Sequence, residues 1–333
     1  MSGELTFSAR IGSKGGIRAL VNEAVALEAA GFDQVWVSND LFGQSGLVGL
    51  SAIAALTSRI KFGSGVLDPV TLHPVQIAMA ASSLQELSSD RFLLGLGAGS
   101  DVFFGWAGLT PARPVPRTRR AISTIRALLA GESPINVECL DSAYTEQAVL
   151  QAPRPTPIYV GAMGPKMLHM TGRLADGALA LCLPPGQFHH VAAQIAAGAD
   201  AVGRSIDDLD IAACLWCSVD EDRSQAQRAM AAQISRYAGS LSTDALVAAG
   251  QDPDEFAQVA ALIAAGRPGD AVHAVSARML QLGIVGGVND VIDQCRELIS
   301  QGVRHLSFGP PMGPSPAAAL ALFGKVVLPA LRA

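Results

Sequence analysis

The 333-residue sequence predicts an α/β protein of the (β/α)8 barrel class, one domain over 1–333 with a helical segment inserted before the last strand. Strand-like and helix-like stretches alternate eight times, and parallel strands need such crossovers. Half of the residues are apolar, enough at this length to fill one large core. No Gly-x-Gly-x-x-Gly follows the first strand, which argues against an open Rossmann sheet.

The elements follow from periodicity and punctuation. Residues 5–11 read as strand one, and 17–30 as a helix with Leu20, Ala24, Leu27 and Ala30 at helical spacing, stopped by Gly31. FDQVWV at 32–37 is strand two and ends in Ser38, Asn39 and Asp40; 48–58 is a helix. The segment 60–100 then forms a complete βαβ unit: a strand at 60–66, an Asp68-Pro69 turn, a helix at 74–87 and a strand at 92–97. Both of its strands end in small residues, Gly-Ser-Gly-Val and Gly-Leu-Gly-Ala-Gly-Ser, which leaves backbone open to a flat or phosphorylated ligand. Residues 103–116 read as a long loop forming a lid or pocket wall, 117–130 as a helix, and 131–156 as an irregular or hairpin excursion. Strand five at 158–160, a turn at 161–165 and a helix at 166–174 come next. Strand six at 178–182, a helix at 188–202 and strand seven at 210–219 complete that run. Several helices fill 220–282, a helix spans 289–301, strand eight spans 303–308 before a Gly309-Pro310-Pro311 turn, and a helix at 317–331 closes the chain.

A net charge of −5, with no dense Lys/Arg cluster, leaves no footprint for nucleic acid. No secretory leader pattern opens the sequence and no 18-residue uncharged apolar run follows, so the expectation is a cytoplasmic protein without a membrane partner. Five cysteines, Cys139, Cys182, Cys214, Cys217 and Cys295, suit a reducing compartment better than a disulfide framework. Cys214 and Cys217, three apart on a strand, project to opposite faces and read as core packing. His189 and His190 have no second ligand pair, so no metal is expected.

The barrel class places chemistry on the loops after the strands. In Gly161, Ala162, Met163, Gly164, Pro165 and Lys166 a strand end meets a helix N-terminus, a geometry that suits a phosphate with Lys166 as counter-charge; a plain helix start is the alternative. Asp40 can orient a ligand or act as an acid or base, although Asn-Asp is also ordinary turn chemistry. His73 precedes Pro74 at a helix entrance, facing a ligand or serving structure. Without a Gly-x-Ser-x-Gly elbow, a metal cluster or an acid pair, the chemistry falls to a bound cofactor.

The segments FDQVWVSND, IKFGSGVLDPVTLHPVQIA, RFLLGLGAGS and PIYVGAMGPKMLHMTGRLADGAL resemble the luciferase-like superfamily of flavin- and deazaflavin-dependent oxidoreductases. Within it the chain is most similar to the F420-dependent methylene-tetrahydromethanopterin reductases, and the likeness runs nearly end to end. The resemblance implies coenzyme F420, with FMN as the alternative, and a homodimer or larger assembly acting on a small organic substrate. It implies a non-prolyl cis peptide at Gly65-Val66 behind the cofactor ring, the ring edge near Ser38, Asn39 and Asp40, and the phosphate arm near Ala98, Gly99 and Ser100 and the 161–166 turn. Asp40 and His73 become the candidate proton donors, and Phe103 and Trp106 the apolar walls of the substrate site. The chain departs from the reductases at Arg10, where a glutamate stands near the end of strand one. It departs again at Asn39-Asp40, in place of Asp-His, and at Ser100, in place of an aspartate. A kept cradle with altered proton-transfer groups implies a changed substrate, with Arg10 binding a substrate carboxylate or phosphate or else pairing with an acidic neighbour. The expected function is hydride transfer between F420 and a small substrate. The alternatives are an FMN-dependent monooxygenase, a methylene-tetrahydropterin or folate reductase, and a non-catalytic flavin-binding barrel.

Overall fold

A computed structural model describes residues 4–12, 15–137, 143–181 and 183–333. Its fold class is the (β/α)8 barrel. Cys139, part of the 131–156 excursion, and Cys182, the expected end of strand six, lie outside the described residues.

Two compact units are distinguished, one made of Ser8–Leu181 and Val191–Ala212, the other centred on Ala213–Ala333. The first carries parallel strands β1 (Thr6–Ile11), β2 (Gln34–Val37), β3 (Lys61–Ser64), β4 (Phe92–Leu96), β5 (Ile158–Ala162) and β6 (Gly177–Ala180), paired in sequence order. Helices α1 (Ile17–Ala29), α2 (Gly46–Leu56), α3 (Pro74–Ser88), α4 (Asp101–Trp106), α5 (Pro114–Leu129), α6 (Pro165–Leu174) and α7 (Phe188–Asp200) connect them. The helix starts and stops have local causes. Gly31, at φ +87°, closes α1 by donating its N–H to the Glu28 carbonyl, as a C′ glycine does. Pro74 opens α3 at N1. Between α2 and β3 the chain is clasped twice. The Glu28 carboxylate accepts the N–H groups of Ser58, Arg59 and Ile60, and the Arg91 guanidinium donates to the carbonyls of Ala54, Thr57 and Ile60.

The interior of this unit is layered. In register, Arg10 lies beside Trp36 and Trp36 beside Gly63, so the three share one face of the sheet. Trp36 on β2 and Tyr159 on β5 are three strands apart, yet their rings stand 4.9 Å from centroid to centroid, so this face is the inside of the curve. Gly63 and Gly177 make the room: a Cβ at either would strike the Trp36 or the Tyr159 ring. Beneath, Tyr159 donates its hydroxyl to Asp210 Oδ2 at 2.8 Å. Burial pushes the phenol pKa up, and the Asp210 charge adds to the shift.

The second unit holds β7 (Asp210–Val219) from Ala213 onward, β8 (Gly283–Gly286) and β9 (His305–Met312). Helices α8 (Arg223–Tyr237), α9 (Thr243–Ala248), α10 (Pro253–Ala264), α11 (Pro268–His273) and α12 (Ala277–Leu280) form the inserted segment. It has its own apolar cluster around Trp216, Met230, Phe256 and Met279. Beyond it lie α13 (Val288–Ser300), α14 (Pro316–Leu322) and α15 (Leu328–Arg332).

The structure corrects three sequence expectations and adds one strand. The 103–116 loop is helical at both ends, where α4 occupies Asp101–Trp106 and α5 begins at Pro114 with Pro again at N1, and irregular between them. A strand at Gly283–Gly286 had no expectation; it pairs with the far half of β7, from Trp216↔Gly283 to Val219↔Gly286. The Gly309-Pro310-Pro311 turn is strand instead: β9 continues to Met312 through a cis Pro310-Pro311 peptide. The closing helix is interrupted, with a π-helical stretch at Phe323–Val327. Helices 117–130 and 166–174 match α5 and α6 apart from their first turns.

Candidate functional site

The carboxyl ends of β1 to β5 bring the proposed residues to one rim of the first unit. Just after β3, the Gly65-Val66 peptide is cis, as the resemblance implies. The bulge is pinned on both sides. Gly65 donates its N–H to the Val37 carbonyl at 2.7 Å, Leu67 to Gly95 at 2.9 Å, and Gly97 to Leu67 at 2.9 Å. Ser64 Oγ donates to the Gly95 carbonyl and accepts the Gly95 N–H, both at 2.9 Å.

That bulge overturns the reading of bare backbone. A Cβ at Gly97 would lie 2.5 Å from Val66 Cγ2, and one at Gly161 would lie 2.9 Å from Val66 Cγ1. The side chains missing from β4 and β5 therefore make room for Val66, which lies across both strands above the Trp36–Tyr159 layer. At Gly99, with φ +82°, the space is filled by the Phe104 ring. A Cβ at Gly164, by contrast, would meet nothing within 4 Å. Val66 thus fills the space beside Gly97 and Gly161, which is not left as a gap.

After β2, Ser38 donates its backbone N–H to the Ile11 carbonyl at 3.1 Å, and Asn39 Oδ1 accepts the Gly46 N–H at 2.9 Å. The Asn39 side chain is thus spent on tethering the start of α2. Asp40 is exposed beside it. Arg10 is half-buried on the inward face of β1.

His73 is the N-cap of α3, and its Nδ1 accepts the Val75 N–H at 3.2 Å. That nitrogen is engaged by the helix start. Asp68 is a turn, as expected: its carboxylate accepts from Val70 N, Thr71 N and Thr71 Oγ1.

After β4, Ala98 and Ser100 are half-buried and Gly99 is exposed. Ser100 caps α4 without a side-chain hydrogen bond. Phe103 and Trp106 come together, with ring centroids 5.3 Å apart, and Phe42 from the loop after β2 joins them at 6.2 Å from Trp106. Sequence reading missed Phe42; its signal was an aromatic residue two positions beyond the Asn39-Asp40 strand end. After β5, Ala162 is buried while Met163, Gly164, Pro165 and Lys166 are exposed, and α6 starts at Pro165. Among the described residues no group of three or more His, Cys, Asp or Glu side chains can hold a metal. His189 and His190 lie on α7 with their rings 3.9 Å apart.

Fold and strand-end loops together define a (β/α)8 protein with a candidate site at one rim. Comparison with known proteins makes the family definite. A family model described as luciferase-like monooxygenase matches residues 5–305, and the chain belongs to that family. The chain is 30% identical to the 5,10-methylenetetrahydromethanopterin reductase of Methanolobus tindarius over 327 residues, covering 97% of this chain and 100% of that protein. It is 29% identical to the F420-dependent glucose-6-phosphate dehydrogenase of Nakamurella multipartita over 330 residues, 94% of this chain and 92% of that one. The solved structure of the coenzyme F420-dependent tetrahydromethanopterin reductase from Methanopyrus kandleri superimposes with a TM-score of 0.90 at 28% identity, covering 98% of this chain and 99% of that one.

Proposed function

We propose that this protein is an F420-dependent oxidoreductase that moves a hydride between the deazaflavin and a small organic substrate. The observation that carries the reading is the Gly65-Val66 bulge, a rigid apolar floor at the barrel mouth that fits a flat ring. The F420 dependence of relatives matched over nearly the whole chain supports the choice of cofactor. Bound F420 would supply the hydride.

The residues present fit such a group. Gly65 and Val66 back the ring, and Ser38 and Asn39 border its edge. Ala98, Gly99 and Ser100 line the arm, and the open turn Gly161 to Lys166, with the start of α6, takes the phosphate. Phe103 and Trp106 wall the substrate side and exclude water, while Arg10 on the inward face pairs with an anionic substrate group. Asp40 holds the proton that accompanies the hydride. His73 is the weaker choice because its Nδ1 already accepts the Val75 N–H. Reduction of a methylene-tetrahydropterin stays within this reading, although Arg10 replaces the glutamate that the resemblance implies there. We place the protein in the cytoplasm as a homodimer. The described cysteines, Cys214, Cys217 and Cys295, are buried and form no disulfide, and no described helix is long and apolar enough to cross a membrane.

Titration with F420 and with FMN tests the cofactor. F420 should bind at least about tenfold more tightly, a difference of about 1.4 kcal/mol, and tighter FMN binding would overturn the assignment in favour of the monooxygenase reading. Once a substrate is found among pterins, sugar phosphates and alcohols, Asp40→Asn should lower kcat by roughly 100-fold or more with F420 affinity unchanged. An unchanged kcat removes Asp40 from the proton path. Absence of turnover with every such substrate despite tight F420 binding would favour the non-catalytic barrel.

A further inference from the structure

Three aromatic rings stand together on the rim of the first unit. Phe103 and Trp106 lie on one short helix, α4, with centroids 5.3 Å apart, and Phe42, from the loop after β2, comes within 6.2 Å of Trp106. The residue between the two α4 rings anchors the helix: Phe104 is 2% exposed, and its ring occupies the space beside Gly99. The rings of the trio are not buried in this way. Trp106 is 65% exposed and Phe42 69%. The Trp106 ring is tilted by 54° to Phe103 and by 53° to Phe42, so neither neighbour stacks on it and an indole face stays open.

Phe42 is displayed against the preference of its own backbone. The Asp40 carbonyl accepts the Gly43 N–H at 3.1 Å, which makes Phe42 the third residue of a four-residue turn, and its φ is +67°. Glycine or asparagine ordinarily fills that left-handed place, and a bulky side chain is rarely found there. Two loops thus hold large rings in water, one of them under strain, and both features gather where a ligand is taken. No charged side chain occurs from Leu41 to Ser58 or from Val102 to Ala112. What the trio offers is stacking area, with the indole N–H as its one polar group.

We propose that Phe42, Phe103 and Trp106 form a stacking platform that selects a substrate with a planar, largely apolar fused-ring system, and that Phe42 and Trp106 set this specificity. The inference rests on reading this rim as the substrate side of the F420 site, and it narrows the small organic substrate to one class. A sugar phosphate would leave the rings in water. A polar heterocycle would find few hydrogen-bond partners here for its ring edge, and leaving such groups unmet weakens binding. A conjugated carbocycle or lactone covers the indole face with every ring atom in contact, whereas a saturated ring of the same skeleton is puckered and touches it with fewer.

Titration of the full-length protein with coumarin tests the platform, with octahydrocoumarin as the puckered analogue and lumazine as the polar planar one. Calorimetry gives the affinities, and tryptophan emission locates the site: Trp36 and Trp216 are 1% and 7% exposed against 65% for Trp106, so quenching reports on Trp106. Coumarin should bind at least about tenfold more tightly than either comparison compound. Trp106→Ala should weaken coumarin at least about tenfold by calorimetry. Phe42→Gly should weaken it about fivefold while raising Tm, because glycine adopts the left-handed turn without strain. A fall in Tm with coumarin affinity unchanged would show instead that Phe42 serves packing, and would remove it from the platform. Failure of coumarin to saturate at ~5 mM, equal or tighter binding of either comparison compound, or coumarin affinity indifferent to both substitutions would each overturn the proposal. So would a change of oligomeric state in Trp106→Ala at unchanged coumarin affinity, which would make the trio a contact between copies. F420 affinity of the wild type, measured in the same samples, keeps the two readings apart. Coumarin binding without F420 binding overturns the cofactor assignment and leaves the platform; F420 binding without coumarin binding overturns the platform alone.

Discussion

At the scale of single residues, two glutamates of α1 respond to pH in opposite directions. Burial raises the pKa of the half-buried Glu23 carboxyl. At Glu28 burial works the same way but is outweighed by the N–H groups of Ile60, Arg59 and Ser58 and by the Arg59 charge, so its pKa falls. A carboxyl whose folded pKa lies below its unfolded value contributes stability that is complete above the unfolded value, near 4.5, and is lost as the pH falls through the lowered one. Glu28→Gln should therefore flatten the dependence of Tm on pH below about 4.5 and lower Tm at pH 7 by roughly 2 °C. For Glu23 the sign reverses: its ionisation opposes folding as the pH rises through the raised value, so Glu23→Gln should raise Tm at pH 7 and leave it unchanged in acid. Thermal melts across pH decide both, and parallel profiles for variants and wild type would refute the assignment. Neither glutamate stands out in the sequence, because what shifts them is a clasp of backbone donors 30 to 32 residues away for Glu28 and burial under neighbouring elements for Glu23.

At the scale of elements, the β3 bulge and its glycines form one packed device. If Val66 occupies the space left at positions 97 and 161, Gly97→Ala places a methyl 2.5 Å from Val66 Cγ2, and neither the strand nor the branched side chain can yield freely. Overpacking of this kind costs about 1–3 kcal/mol and should displace the floor, weakening F420 binding by roughly tenfold or more. Val66→Ala in the same chain removes the clashing methyl groups and should recover most of the stability. Non-additivity of the two substitutions in denaturant melts is the signature, and simple additivity would show that the glycines serve some other purpose. The same device marks what the sequence reveals and what it hides. Periodicity located eight of the nine strands, and Asp68-Pro69 announced its own turn. The resemblance placed the cis peptide at Gly65-Val66. Pattern alone, however, took Gly97 as open backbone, because the residue that fills the space beside it, Val66, arrives from another strand through a bulge with no local code. The strand Gly283–Gly286 escaped for a related reason. Four residues rich in glycine carry no period, and only pairing with the far half of β7 makes them strand. The helix α4 was hidden by the Gly, Pro and aromatic residues that follow Asp101, a composition that elsewhere marks loops.

At the scale of the whole molecule, the outer surface of α2 and α3 sets the prediction with the widest reach. A helix on the outside of a barrel ordinarily turns an apolar stripe inward and a charged face to water. α2, GLVGLSAIAAL, has no charged residue anywhere in its 11, and α3 has only Glu86. The two helices pack side by side. Away from the sheet they present Val48, Leu56, Met79 and Leu87, each more than half exposed. A run of large apolar side chains with almost no charge is an interaction surface rather than a solvated one. The occupant that fits is a second copy of the chain, since a patch of apolar groups meets its own image across a two-fold axis without charge conflict. The protein should therefore run in solution at twice its 34.4 kDa, with a Tm that rises with protein concentration. Leu56→Glu combined with Met79→Glu puts like charges into that contact from both copies and should yield a monomer with an unchanged far-ultraviolet circular dichroism spectrum. Light scattering coupled to size exclusion gives the answer: a wild type that is monomeric at micromolar concentration, or a doubly charged variant that remains dimeric, would move the interface elsewhere. Because α2 begins at Gly46, tethered by Asn39 at the rim of the proposed cofactor site, the monomeric variant also shows whether that rim needs the partner. If it does, F420 affinity falls with dissociation; if affinity is retained, each copy binds its cofactor alone.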